Sequence, residues 1–118
     1  MPRLLDNWLY EFRDWTVPRS EAPESLIIWS GLFTLSSVVK RKIVWPKSLM
    51  GSYDIYPHLY VLFVGPPGVI RKSTTSAYAE ELLSEIDHLK VASTASSASK
   101  LIETMSETVD GSICIISS

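Results

Sequence analysis

Leu59-Tyr60-Val61-Leu62-Phe63-Val64-Gly65-Pro66-Pro67-Gly68-Val69-Ile70-Arg71-Lys72-Ser73-Thr74 is the stretch on which the fold reading turns. Leu59–Val64 is an unbroken apolar run, rich in β-branched and aromatic side chains. That pattern fits a strand buried on both faces inside a parallel sheet. It passes directly into Gly-Pro-Pro-Gly, which reads as a turn. Arg71-Lys72 and a group of hydroxyl residues follow and open a helix expected over Thr74–Asp87. Tyr78, Leu82, Leu83 and Ile86 form its apolar side, and Glu80, Glu81 and Glu85 point outward.

Strand, glycine-rich turn, lysine, hydroxyls and helix succeed one another in the mechanical order of a phosphate-binding loop. Glycines let backbone amides curl around phosphate, and a helix start presents further free N–H groups and a positive dipole end. Pro66 and Pro67 have no N–H, so the amides come mainly from Gly68, Val69, Ile70, Arg71, Lys72, Ser73 and Thr74. The common spacing, G-x-x-x-x-G-K-[ST], is met only with one extra residue within Val69-Ile70-Arg71, and Arg71 stands where a glycine is usual. The rival reading is an ordinary strand–turn–helix connection in which prolines supply rigidity. Two cations at a helix N-terminus favour the first reading, because the dipole opposes them unless an anion compensates.

GPPGVIRKSTT, preceded by YPHLYVLFV, resembles the ATPase portion of phage, plasmid and mobile-element replication proteins of the primase–helicase kind. Their loop typically reads G-P-[SP]-G-x-x-R-K-[SG]-T. The resemblance matches Gly65, Gly68, Arg71, Lys72 and Thr74 directly, and Ser73 takes a slot that is often glycine. It implies ATP and Mg²⁺ as cofactors. Lys72 would stabilise charge on the transferring phosphoryl with Arg71 as a second donor, the 65–74 backbone would hold the nucleotide, and Thr74 or Ser73 would hold the metal. It further implies hydrolysis coupled to DNA replication, DNA contact through a longer protein, and ring-like self-association. Ser112–Ser118 resembles the next sheet strand of that family, the chain stopping before the Walker B acid.

Working outward, Leu4, Leu5, Trp8, Leu9, Phe12 and Trp15 recur at helical spacing and predict an amphipathic helix over Leu4–Asp14. Pro18 ends it. Pro23 and Glu24 open a second helix to about Val39, apolar on nearly all sides and so expected to be mostly covered. Lys40-Arg41-Lys42 close it, as helix capping or as contacts to DNA phosphates. Ile43–Trp45 reads as a short strand and KSLMGSYDIYP as a loop. VASTASSAS at 91–99 reads as a loop, Lys100–Val109 as a helix stopped by Asp110-Gly111, and Ser112–Ser118 as a second buried strand. Trp8, Trp15 and Trp29 are expected in the core; Trp45 stays open between packing and base stacking.

The whole sequence has 118 residues, 46% of them hydrophobic and 20% charged, which is a globular and not a disordered profile. Eleven basic against 13 acidic side chains give a formal charge of -2, so no basic excess points to nucleic acid. One cysteine, Cys114, makes no internal disulfide, and two histidines, His58 and His88, are too few for the usual zinc sites. A reducing, cytoplasmic setting follows, and Leu26–Val39 is too short and too rich in hydroxyls to cross a bilayer. The fold expected is α/β: an incomplete P-loop NTPase domain with a parallel sheet core over 43–118, preceded by an N-terminal helical region over 1–42. The function expected is ATP binding with hydrolysis. The alternative is a non-catalytic helical interaction module in which GPPG is only a rigid turn.

Overall fold

The computed structural model describes residues 7–86, 91–92, 97–108 and 112–116. Asn7 opens the first helix, α1 (Trp8–Thr16), with its side-chain oxygen accepting the Tyr10 N–H at 3.4 Å. A donor with no partner inside the helix is satisfied in this way. Leu4 and Leu5 lie outside the described residues, and the helix runs two residues past Asp14. Pro18 falls in a 3₁₀ turn, Val17–Arg19. Pro23 sits at the N-cap of α2 (Glu24–Val39), whose carbonyl accepts from Leu26 and Ile27.

α2 is the spine of the molecule, with α1 on one side and α4 (Lys72–Ser84) on the other. The stripe of α2 that is covered is Leu26, Ile27, Ser30, Gly31 and Thr34, at three- and four-residue spacing. Small side chains let the neighbouring helices come close. A Cβ on Gly31 would stand 2.8 Å from Leu9 Cδ1 and 2.9 Å from Phe12 Cδ1, so any larger residue there makes those side chains shift. Ser30 and Thr34 donate their hydroxyls to the carbonyls of Leu26 and Ser30, each at 2.9 Å, so their burial leaves no polar group unpaired. Trp29 is 47% exposed on the other side. Most of α2 is covered as expected, but the placement of Trp15 and Trp29 in the core is corrected: both are exposed. Trp15 carries the Arg19 guanidinium on its ring and meets Tyr78 edge-on.

A second cluster lies between α2, α4 and the chain near Cys114. Leu83 and Cys114 are buried there, with Phe33, Val38, Ile86 and Ile116 packed against them. Cys114–Ile115 forms strand β2, parallel to β1 (Val91–Ala92) in the register Val91–Cys114 and Ala92–Ile115. Between them lies α5 (Ala98–Ser106), where the Ser97 side chain accepts the Lys100 N–H at 3.3 Å. The expected stop at Asp110-Gly111 lies outside the described residues. Residues 47–50, read as loop, make a one-turn helix, α3 (Lys47–Met50), whose N-terminus is capped by Asp54 through the Lys47 N–H at 2.8 Å. Of the strand expected at Ile43–Trp45 there is one antiparallel bridge, Trp45 to Ile55.

The α/β expectation, an incomplete P-loop NTPase domain around a parallel sheet, is overturned. Helix accounts for 55% and strand for 4% of the described residues, among which the strand is the two-residue pair β1–β2. The decisive run, Leu59–Val64, forms no strand. Its burial alternates as along an extended backbone, with Leu59, Val61 and Phe63 half-buried and Tyr60, Leu62 and Val64 exposed. A continuous apolar run has two readings: a strand covered on both faces, or an extended segment covered on one and open on the other. Periodicity does not separate them, and here the second holds.

Candidate functional site

The turn after Val64 is built by its own residues. Pro67 fixes one dihedral, and Gly68, at φ +75°, takes the left-handed conformation that reverses the chain. The Ile70 side chain folds back over Gly65 and fills the place where a Cβ would stand. Lys72, first residue of α4, donates from Nζ to the Gly65 carbonyl at 2.7 Å. Lys72 thus ties the two ends of the turn together.

Arg71 is the N-cap of α4 and lies at φ +51°, an uncommon conformation for a side chain with a Cβ. Its carbonyl accepts both the Thr75 amide and the Thr75 hydroxyl, each at 3.1 Å. Its guanidinium pairs with Glu21 at 3.6 Å, both groups largely in solvent. Thr75 is fully buried against the connector between α1 and α2, 3.5 Å from the Ser20 hydroxyl. Tyr78 donates its hydroxyl to the Arg19 carbonyl at 2.8 Å. The start of α4 is therefore fastened to the Arg19–Glu21 connector, and its two cations are balanced by a carbonyl and a carboxylate of the chain itself.

The residues nominated from the sequence fall on two sides of this helix start. Lys72 and Ser73 line a groove of about 790 Å³, together with His58–Phe63, the C-terminal half of α2 and Ser112–Ile115. Arg71 and Thr74 line a second, smaller recess of about 380 Å³ beside Val17–Glu21. Gly65 is half-buried under Ile70, while Gly68 and Val69 are exposed. The two hydroxyls nominated for a metal, Ser73 and Thr74, therefore open onto different concavities. Among the described residues no three His, Cys, Asp or Glu side chains gather where a metal ion would sit.

The chain matches no family model, no curated protein and no solved structure. The resemblance to replication ATPases, strongest around the loop, is overturned by the fold. A phosphate loop works as the link between a sheet strand and a helix; among the described residues no strand feeds the turn, and the sheet is the two-residue pair β1–β2. The expectations of ATP and Mg²⁺ as cofactors, and of ATPase or helicase activity, are corrected on the same ground. No helix among the described residues is long and apolar enough to cross a membrane.

Sequence reasoning missed a different feature. Tyr60 is 90%, Leu62 72% and Val64 83% exposed, an apolar row with no hydrogen-bonded neighbour strand among the described residues. Ile43, Trp45, Leu49 and Tyr53 are exposed as well, before that row in the chain. No signal in the sequence marked it, because a short apolar run reads equally as a buried strand.

Proposed function

We propose that the chain is a non-catalytic helical interaction module, in which Gly65–Gly68 is a rigid turn and Leu59–Val64 is the recognition segment. The exposed row Tyr60, Leu62 and Val64 carries this reading. Large apolar side chains on an extended, unpaired backbone are costly in water, and a partner surface recovers both the apolar area and the backbone hydrogen bonds. In this reading Lys72 is a fastener. It holds the turn so that the segment is presented in one conformation, which lowers the ordering cost of binding. Gly68 and Val69 add the exposed tip, and Ile70 plugs the turn from beneath. A partner protein or a second copy of the chain fits such a surface, and a cytoplasmic setting fits the unpaired thiol of Cys114.

Selection from a random 12-residue peptide library against the purified chain tests this. The expected result is enriched peptides that bind the wild type and lose at least tenfold in affinity against a Leu62→Ser, Val64→Ser double variant. That variant should keep wild-type stability to within about 0.5 kcal/mol, since its side chains are exposed. An absence of enriched peptides, or peptides indifferent to the double variant, contradicts the proposal.

A further inference from the structure

Residues 45–55 form a loop closed at its base. The Trp45 N–H donates to the Ile55 carbonyl at 2.8 Å, and the Ile55 N–H to the Trp45 carbonyl at 2.9 Å. Residues opposed in such a pair put their side chains on one face. Inside the loop the Asp54 carboxylate accepts the Lys47 N–H at 2.8 Å, and α3 occupies the turn. The loop is thus held in one shape by its own backbone and one carboxylate. What it presents is apolar. Leu49, on α3, is 70% exposed, and Ile43, Val44, Trp45, Tyr53 and Ile55 are exposed with it.

The charge around these side chains is of one sign. From Lys40 to Tyr53 the sequence has four basic residues and no acidic one, in a chain whose net charge is -2. Lys42 and Lys47 are exposed. Lys40 and Arg41 have interactions of their own within the chain, Arg41 over the Tyr56 ring at 4.3 Å, so they add to the local field and not to the contacts.

An anionic surface that accepts both lysines and exposed apolar side chains complements this loop. Single-stranded nucleic acid would stack bases on Trp45 and Tyr53 but offers nothing to Ile43, Val44 and Leu49, which have no flat face. The boundary of a bilayer accepts all of them. Aliphatic side chains enter its apolar side, tryptophan and tyrosine sit at headgroup level, and lysine stems lie along the boundary with their ammonium groups at the phosphates.

We propose that the 43–55 loop docks on the surface of an anionic phospholipid bilayer, with Trp45 and Leu49 entering the headgroup boundary and Lys42 and Lys47 against lipid phosphates. The contact is peripheral and no helix crosses the bilayer. It uses a different segment from Leu59–Val64 and does not depend on the interaction reading.

The full chain is sedimented with vesicles of phosphatidylcholine alone, and with vesicles of seven parts phosphatidylcholine to three parts phosphatidylserine. It should bind the second at least about tenfold tighter, and less as salt rises. Lys42→Gln and Lys47→Gln should each cost about fivefold in affinity and keep the wild-type helical circular dichroism. Acyl chains brominated near the headgroup should quench tryptophan emission in the wild type. In Trp45→Phe, which should still sediment with the vesicles, that quenching should be absent, although the other three tryptophans remain. No binding to either vesicle, equal binding to both, indifference to both lysine substitutions, or quenching that survives in Trp45→Phe would each overturn the proposal. So would a 15-nucleotide thymidine strand bound at protein concentrations that leave the vesicles bare. None of these results touches the interaction reading, which is tested at Leu62 and Val64.

Discussion

Lys72 shows how one side chain's partner decides between two chemistries. A lysine at a helix start beside a glycine turn serves an anion when its ammonium reaches into open space. Here it donates to the Gly65 carbonyl. Lys72→Met should therefore cost stability, about 1 kcal/mol for a half-buried charge-assisted hydrogen bond, in urea denaturation. Mg²⁺–ATP should leave the midpoint of both proteins unchanged; a shift in the wild type that Lys72→Met abolishes would contradict the assignment. The sequence showed that a cation stands at this helix start and that something must balance it. It did not show that Gly65 and Glu21 do so, because both contacts depend on how the turn and the α1–α2 connector are folded together.

Cys114 offers a second test at the same scale. Burial pushes its thiol pKa up, the Ser37 hydroxyl, 3.6 Å from Sγ, works in the opposite direction, and the Glu80 charge adds to the rise. Between the ordinary and the raised value the folded chain holds a proton that the unfolded chain has lost. Stability from this group is complete below the ordinary thiol pKa and is lost as pH rises through the folded one. Alkylation of Cys114 by iodoacetamide at pH 8 should be slower than that of glutathione and should match it in urea. Equal rates in the folded protein would contradict the burial.

Among the elements, α1 and α2 meet at Gly31, where closeness and not dihedral angle favours glycine. Gly31→Ala brings a crowding cost, offset by a helix-propensity gain of about 1 kcal/mol, so its net effect should stay within about 1 kcal/mol. Gly31→Leu cannot be accommodated and should cost about 1–3 kcal/mol in thermal or urea unfolding, with loss of α1 packing. Equal effects of the two would mean that the helices do not touch there. The helices were largely legible: α1, α2, α4 and α5 all overlap the segments that apolar spacing and capping residues indicated. What faced inward was less legible. Apolar pattern predicts that the largest side chains of α2 are covered, yet its buried stripe joins Leu26 and Ile27 to the small Ser30, Gly31 and Thr34 and leaves Trp29 outside. Leu59–Val64 misled for a related reason, since its composition records affinity for a partner surface without saying whether that surface belongs to the same chain.

The molecule as a whole is open. Its Cα radius of gyration is 15.8 Å, against roughly 13 Å for a compact chain of this length. The extra breadth fits a structure whose packing is concentrated along α2 and whose extended segment lies with one side bare. Apolar surface left in water at this scale is a liability for a free chain and a resource for one that binds.

Hydrogen–deuterium exchange of the amides of Leu59–Val64, followed by mass spectrometry in the free chain with and without Mg²⁺–ATP, tests the account most directly. An extended segment with no ladder partners should exchange within seconds, near the rate of an unstructured peptide, and nucleotide should change neither it nor residues 65–74. Protection of Leu59–Val64 lasting minutes to hours in the free chain, together with slowing of 65–74 by Mg²⁺–ATP, would show a paired strand feeding a phosphate loop and would contradict it.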